Sequence, residues 1–405
     1  MIEVTRQVAL LPPAPVNVPG VPIRPVDLRV PLPKAPVPQG AGCARVFCND
    51  GLNSRLPSAV ATEGWKVRWS APVVPDFTPT AVVQDGPRVL IYGGGAFRLY
   101  DLQGKPLKDG RNGASGIVLD AANGLFYFVN LNGFLAAHRL TDGAEEYGVN
   151  VAPGDAWPFL ARRGNRFIDA AVDLPQPYRN EPPNRSVLQH ADLDAKNELD
   201  PVKVVSNLTA LATLQMKTGT LSVAMRGDEL AFAVPGSIFL SSSDLQPRAA
   251  LHGDFVPRSL SVDELGRMHL VVAVGDRLEL WVVAPEGSRT VTWPINPEYG
   301  VPIAPPAIGY DHGIHLITAD AIVALSADGD LLWERRPSGR IAGAGVSTDG
   351  KVLVTAGREL QAYDAKGERE VLFRSLEGPF VTPPATSAAG EIFAATASVL
   401  YCLGR

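Results

Sequence analysis

The sequence predicts an all-β fold, a β-propeller of eight four-stranded blades, on the basis of three features. One phrase occurs eight times between Pro79 and Ala394: a strand of small residues, a turn at a glycine, a β-rich strand and a further apolar strand. The turn glycines recur roughly every 40 residues, which is the length of a propeller blade. They are Gly86, Gly124, Gly164, Gly227, Gly266, Gly313, Gly350 and Gly390. A second turn follows the third strand of several repeats, and such sheets bury both faces only by stacking side by side.

The turns and inner strands have the residue types that this architecture requires. Asp85-Gly86, Asn123-Gly124 and Asp349-Gly350 accept the positive φ of tight hairpins. The predicted innermost strands, such as residues 343–347 and 384–387, are rich in Ala, Gly, Ser and Val. Small side chains at these positions fit the crowding that we expect around the axis of a ring.

The last repeat is one strand short. The chain has no outer strand after Val399–Leu403, whereas Trp65–Trp69 precedes the first blade and resembles the outer strand Leu331–Arg335. We expect the N-terminal strand to complete the C-terminal blade, because this pairing closes the ring and removes exposed sheet edges.

Composition and charge limit the function classes. The hydrophobic content of 46% supports a large core, and the net charge of −5 argues against nucleic acid as a partner. No apolar run is long enough for a transmembrane helix, so we expect no membrane insertion. The sequence indicates a soluble protein, cytoplasmic in this form and periplasmic or extracellular if a leader has been removed. A disulfide between Cys43 and Cys48 would favour an oxidising compartment.

The chain divides into a Pro-rich, extended N-terminal arm at residues 1–60 and the propeller at residues 61–405. Closely spaced prolines, as in residues 30–38, favour polyproline II over a packed core. Two interpretations remain open for the arm: a linker lying along the propeller, or a docking peptide for a partner.

The third blade departs from the even spacing because it contains two insertions, residues 173–184 and 207–217. The second has the composition of a short helix. We expect the first between the second and third strands and the other after the outer strand, so that both lie on one face. Long loops on one rim of a rigid scaffold often carry function.

The repeats resemble the pyrroloquinoline-quinone (PQQ)-like propeller family, whose signature is A-x-D-x-x-x-G-x-x-x-W with the tryptophan docking between blades. Approximate matches are residues 324–329 followed by Trp333, residues 362–367, and residues 137–147. The family includes quinone-dependent dehydrogenases and non-catalytic bacterial propellers. Its dehydrogenases have an adjacent Cys-Cys pair beside the cofactor, which this sequence lacks. The resemblance therefore implies the non-catalytic branch, and we expect no cofactor, no metal and no catalytic residues.

Aromatic residues recur just before several inner strands, often beside an acidic residue and a proline. Two interpretations remain open: aromatics wedged between blades for stability, or a ligand or peptide site on the face of the insertions. Arginines on the same rim are suited to binding a carboxylate. The candidate interaction residues are Phe77, Trp157, Tyr178, Arg179, Phe255, Tyr299, Arg336, Arg340 and Phe380.

These features favour a non-catalytic scaffold that binds one or more protein partners, as a subunit of a larger assembly. The alternative is a small-ligand or carbohydrate-binding or enzymatic propeller, such as a divergent quinoprotein, that uses the central funnel. The histidines are scattered along the chain, and we expect structural roles for them, including for His312 and His315.

Overall fold

The computed structural model describes residues 55–61, 63–73, 78–93, 96–111, 117–120, 124–129, 134–150, 156–163, 166–172, 186–192, 212–216, 222–226, 229–242, 247–263 and 265–405. Thirty-two strands in this part of the chain form eight four-stranded antiparallel sheets. The structure therefore confirms the predicted all-β class and blade count. None of the helices among the described residues is long and apolar enough to cross a membrane.

The strands are numbered in chain order, and β1 is Lys66–Pro72. Blade 1 comprises β2 Ala81–Asp85, β3 Arg88–Gly93, β4 Ala96–Asp101 and β5 Pro106–Arg111. Blade 2 comprises β6 Ile117–Asp120, β7 Leu125–Val129, β8 Phe134–Arg139 and β9 Glu145–Asn150. Blade 3 comprises β10 Ala156–Arg163, β11 Arg166–Val172, β12 Ser186–Asp192 and β13 Ala212–Met216. Blade 4 comprises β14 Ser222–Arg226, β15 Glu229–Val234, β16 Ser237–Ser242 and β17 Pro247–His252.

The second half of the ring repeats this arrangement. Blade 5 comprises β18 Val256–Val262, β19 Met268–Val274, β20 Arg277–Val283 and β21 Arg289–Pro294. A short 3-10 helix, Pro297–Tyr299, precedes blade 6, which comprises β22 Ala307–Ile308, β23 Ile314–Ile317, β24 Ile322–Leu325 and β25 Leu331–Arg335. Blade 7 comprises β26 Ile341–Val346, β27 Val352–Ala356, β28 Glu359–Tyr363 and β29 Arg369–Arg374. Blade 8 comprises β30 Ala385–Thr386, β31 Ile392–Ala395, β32 Val399–Gly404 and, as its outer strand, β1.

Ring closure occurs as predicted, through the pairing of β1 with β32. The register runs from Lys66 opposite Gly404 to Pro72 opposite Val399. Blade 8 is thus built from both ends of the ring's chain. An N-terminal strand supplies the ladder hydrogen bonds that would otherwise be missing at the edge of the sheet.

The apolar core lies between neighbouring blades rather than within any one sheet. Between blades 1 and 2, Phe97 meets Phe126 edge-on with ring centroids 5.2 Å apart, and Phe128 lies 5.6 Å from the same ring. Equivalent clusters lie between blades 4 and 5, 5 and 6, 6 and 7, 7 and 8, and 8 and 1. Since the described core clusters lie between blades, stability depends on completing the ring.

Tryptophans of two outer strands dock on a turn glycine of the next blade. A Cβ added to Gly367 in blade 7 would lie 2.8 Å from the Trp333 ring, and one added to Gly104 in blade 1 would lie 2.5 Å from the Trp69 ring. Both glycines also have positive φ, of 73° and 80°. The β1–β32 closure is therefore packed in the same way as the seam between blades 6 and 7.

A repeated polar turn joins the third and fourth strands. In blades 1 and 7 an aspartate carboxylate, of Asp101 or Asp364, accepts hydrogen bonds from the backbone N–H groups two and four residues later. Ser326 accepts the equivalent pair through its hydroxyl in blade 6. These local bonds satisfy the turn backbone and explain why the motif tolerates Ser in place of Asp.

The predicted arrangement of the third blade is wrong in two respects. Residues 212–216, expected within a short helix, are the outer strand β13, paired with β12. The long connections therefore follow the second strand, at 173–185, and the third strand, at 193–211. The strand ends from which these connections leave, after β11 and after β12, lie at opposite ends of the antiparallel sheet, which contradicts the expected common face.

Candidate interaction surface

The ring has two faces, which we name by their connections. The connection face contains the links from each outer strand to the next inner strand and the turns between second and third strands. The hairpin face contains the turns between first and second strands and between third and fourth strands. The candidate residues of blades 4 to 8 all belong to links on the connection face.

The predicted aromatics that the structure describes are wedged between blades. Phe255 is 3% exposed and meets Trp281 at 5.1 Å, and Phe380 is 4% exposed and meets Tyr401 at 6.2 Å. Their backbones also pair with turns of the preceding blade, because Phe255 O accepts from Gly236 N–H and Phe380 N–H donates to Gly357 O. These contacts couple adjacent blades, and they leave the two rings little surface for a ligand.

Tyr299 is also buried, and it links blades 5 and 6. Its ring stacks on Trp293 at 6.3 Å, and its hydroxyl donates to the carboxylate of Glu334. This hydrogen bond is the main cause of the raised pKa of the Tyr299 phenol. The Tyr299 side chain therefore holds the link between blades 5 and 6 in place.

Four of the candidate residues have side chains outside the described part of the chain. Phe77, Tyr178 and Arg179 lie outside the described residues, as do Cys43 and Cys48. Trp157 belongs to β10, but its side chain is outside the described part of the chain.

The two predicted arginines that the structure describes differ in their contacts. Arg336 forms a salt bridge with Glu298 at 3.2 Å and lies 5.9 Å from the centre of the Tyr299 ring. Arg340 is exposed, and within the described residues its guanidinium has no hydrogen-bond or ion-pair partner. Only Arg340 of this pair is therefore available to a ligand without breaking an existing ion pair.

The structure adds two residues that sequence reasoning missed, Arg358 and Leu376. The backbones of three segments are joined side by side: Gly357 N–H donates to Arg340 O at 2.9 Å, and Ser375 N–H donates to Arg358 O at 2.8 Å. Arg358 is exposed and has no side-chain partner among the described residues, and Leu376 is 85% exposed. We call these three residues, Arg340, Arg358 and Leu376, the Arg-Leu surface.

The carboxylate of Glu359, the residue after Arg358, is buried and binds two other arginines. Glu359 is 6% exposed and binds the guanidinium groups of Arg369 and Arg374. Ser338, from the link before Arg340, donates to the same carboxylate at 3.0 Å. Burial raises the pKa of Glu359, but the hydrogen bonds from Arg374 and Ser338 outweigh it and hold the pKa below its usual range. Arg374 is therefore occupied, which distinguishes it from Arg340 and Arg358.

The hairpin face contains a buried charged cluster in the first turn of blade 5. Asp263 is fully buried, and its carboxylate accepts from Arg267 Nε at 2.7 Å and from His269 Nε2 at 3.1 Å. Burial raises the pKa of Asp263, but the bonds to His269 and Arg267 outweigh it and hold the pKa well below its usual range. Burial lowers the pKa of His269, so this histidine is neutral. No group of three metal-ligating side chains suited to a metal ion occurs among the described residues.

The equivalent turn of blade 6 departs from the sequence pattern. Its positive φ of 64° falls on His312 instead of the predicted turn glycine, Gly313. His315 follows in β23, 7% exposed, with its ring 6.2 Å from that of Trp333. Both histidines are buried, with His312 1% exposed.

We expect the neutral, buried His315 to make the fold sensitive to acid. Burial lowers the pKa of His315 to about 4, although the charge of the nearby Asp311 favours the protonated form. In the unfolded chain the pKa of a histidine is about 6.5. Between pH 6.5 and 4 the unfolded chain therefore binds more protons at this residue than the folded chain does. The contribution to stability is full above pH 6.5 and is lost as the pH falls toward 4. At pH 4 we expect protonation of this residue to have lowered the free energy of unfolding by about 3 kcal/mol.

Urea unfolding at pH 7.5, 5.5 and 4.5 measures this loss. The variant His315→Gln should show a flatter pH dependence, whereas the variant of an exposed histidine, His252→Gln, should retain the full slope. Equal slopes for the two variants would contradict the assignment to His315.

Comparison with known proteins defines the fold. No protein-family model and no curated protein sequence matches the chain. Among solved structures, it is similar to Saccharomyces cerevisiae Sqt1, with a TM-score of 0.62 and 11% identity over 83% of this chain and 98% of that one. It is similar to BamB from Moraxella catarrhalis, with a TM-score of 0.56 and 14% identity over 84% and 100% of the two chains. The C-terminal WD40 domain of Sif2 gives a TM-score of 0.57 and 15% identity over 85% and 99%. The chain is thus a β-propeller, and these neighbours show the fold alone.

Proposed function

We propose that this chain is a non-catalytic propeller scaffold that binds a protein partner through the connection face of blades 6 to 8. The observation that carries this proposal is the Arg-Leu surface. It combines an aliphatic side chain, 85% exposed, with two arginines that have no partner in the described part of the chain. Large apolar side chains beside free guanidinium groups are typical of protein interfaces, where Arg is enriched.

A second exposed aliphatic residue extends the surface toward blade 5. Val301 is 70% exposed and follows the buried Tyr299 in the link between blades 5 and 6. Its carbonyl accepts from Ala319 N–H, and Ala319 O in turn accepts from Ile341 N–H. These backbone bonds hold the link on a rigid scaffold, so a partner would bind a pre-organised surface with little loss of conformational freedom.

We further propose that the chain belongs to the non-catalytic branch of the PQQ-like repeat family and acts within a larger assembly. The support is the docking of Trp333 and Trp69 on glycines of the following blades, together with the Asp turns that precede those glycines. A dye-reduction assay with added pyrroloquinoline quinone and calcium tests this branch. Substrate-dependent dye reduction would contradict it and favour a divergent quinoprotein.

The test of the interaction surface is cross-linked co-purification from cells that express the chain. Leu376→Asp combined with Arg340→Glu should reduce recovery of a specific partner at least about tenfold, because the change removes an apolar anchor and reverses a charge. Leu332→Asp is the matched control, since Leu332 is 58% exposed on the outer strand β25, away from the links. Partner recovery that is unchanged in the double variant but lost in the control would contradict the proposal. Deletion of residues 1–54 separately tests the arm, because the buried Leu56 and Val60 stay in place.

A further inference from the structure

Residues 55–61, which we call the strap, dock on the hairpin face in the manner of a bound peptide. Arg55 forms a parallel bridge with Val346, and Leu56 N–H donates to Val346 O at 2.7 Å. Further along, Thr348 N–H donates to Ser58 O at 3.2 Å. The strap is thus held in extended form by main-chain hydrogen bonds at the end of the inner strand β26. Many domains hold extended peptides in this manner.

The first anchor of the strap is a buried arginine. Arg55 is 2% exposed, and its guanidinium donates from Nε to Ile308 O at 2.9 Å and from Nη2 to Gly309 O at 2.6 Å. Its Cζ atom lies 4.9 Å from the centre of the Tyr310 ring. Two carbonyls and an aromatic face match a planar guanidinium with several donors, and a lysine ammonium cannot reproduce this arrangement.

Two aliphatic anchors follow in the seam between blades 7 and 8. Leu56 is 3% exposed and Val60 is 1% exposed, and both pack in the core cluster of that seam. The backbone beside each is also bound, because the Tyr310 hydroxyl donates to Leu56 O at 3.0 Å and Val60 N–H donates to Asp349 Oδ1 at 3.1 Å. Pro57 lies between them, half-buried, and fits an extended segment that does not use its nitrogen as a donor.

The geometry points to a peptide-recognition groove on the hairpin face of blades 6 and 7, which the strap occupies in cis. We propose that its ligand is an extended segment of the pattern Arg-aliphatic-Pro with a second aliphatic residue shortly after. The pattern Arg-aliphatic-Pro occurs twice in the sequence, at Arg55-Leu56-Pro57 and at Arg29-Val30-Pro31. The groove lies on the face opposite the Arg-Leu surface, so this inference does not depend on the proposed function.

The strap and a second segment of this pattern compete for one groove. The full-length chain with Arg55→Ala and Leu56→Ala empties the two anchor positions, and Arg29→Ala in the same chain removes the second competing segment. Fluorescence anisotropy then measures binding of labelled peptides corresponding to residues 29–34 and 55–60. We expect both peptides to bind this variant at least about tenfold more tightly than the wild-type chain, in which the strap is a high-concentration competitor.

Two controls test the arginine and the tyrosine. A peptide of residues 29–34 with lysine in place of arginine should bind at least about tenfold more weakly, since it loses a charge-assisted hydrogen bond and the stacked plane. Adding Tyr310→Phe to the strap variant should weaken binding roughly fivefold, because it removes only the hydroxyl bond to the peptide carbonyl. Equal binding of the arginine and lysine peptides would overturn the proposal.

If this variant has a lowered melting temperature, the full-length chain with Arg55→Ala and Arg29→Ala replaces it. Hydrogen exchange of the wild-type chain provides a second measurement. Excess peptide of residues 29–34 should increase exchange at residues 56–60 and leave β1 protected. Failure of the folded variant to bind either peptide, or unchanged exchange of the strap at saturating peptide, would refute the groove.

Discussion

Trp69→Ala is expected to lower the free energy of unfolding by about 2–4 kcal/mol, below the range of about 3–5 kcal/mol for a fully buried aromatic, because Trp69 is partly exposed. The Trp69 ring lies 6.0 Å from Phe393 within blade 8 and 6.5 Å from Tyr100 in blade 1. Its indole N–H donates to Leu102 O at 2.6 Å, across the same seam. One side chain therefore joins β1, the rest of its own blade and the neighbouring blade.

The matched control is Trp333→Ala, which removes an equivalent docking tryptophan at an ordinary seam. Trp333 stacks on Tyr363 of the next blade at 6.0 Å, much as Trp69 stacks on Tyr100. We expect similar losses in urea unfolding but different hydrogen exchange. Only Trp69→Ala should accelerate exchange throughout β1 and β32, since β1 has no covalent neighbour within blade 8. Equal protection of β1 in the two variants would show that closure does not depend on this contact.

Asp263→Asn is expected to cost about 3–5 kcal/mol, because it leaves the guanidinium of Arg267 buried without its counter-charge. The substitution preserves the turn, since an amide oxygen can still accept the N–H groups of Leu265 and Arg267 that the carboxylate accepts at 3.0 and 2.9 Å. The loss therefore reports on the charge and not on the turn geometry.

Asp364→Asn provides the comparison for this prediction. Asp364 accepts the same pair of turn N–H groups, both at 2.8 Å, at a partly exposed site of blade 7. We expect a cost below about 1 kcal/mol there. Adding Arg267→Met to Asp263→Asn should recover much of the loss in urea unfolding. A double variant as unstable as Asp263→Asn would contradict the assignment to an unpaired charge.

The sequence was sufficient to predict the repeats and the closure because their signals are local. Asp85-Gly86 and Asp349-Gly350 mark turns by their own conformational preferences, and Trp65–Trp69 resembles the outer strand Leu331–Arg335. The strand β13 was predicted as part of a helix because Ala, Leu and Met favour helices in isolation. Pairing with β12 outweighs that preference.

The candidate site was less predictable because it depends on which segments become neighbours. A leucine in a link, such as Leu376, is indistinguishable in sequence from the buried leucines of the strands. Arg358 joins Arg340 only through backbone bonds between separate segments. Conversely, Arg55 lies in the predicted Pro-rich arm, where a charged side chain suggests exposure, yet it is 2% exposed because main-chain carbonyls of blade 6 bind it.

The pairing of β1 with β32 also imposes an order on the synthesis of this protein. β1 is the first strand of the ring to leave the ribosome, and its partner is the last. Throughout translation of the seven intervening blades, β1 lacks its sheet and the growing stack has an open edge at each end. Such edges can pair with other chains, so the nascent protein is exposed to aggregation until β32 emerges. A ribosome that stops before Val399 would release a chain with both edges still open.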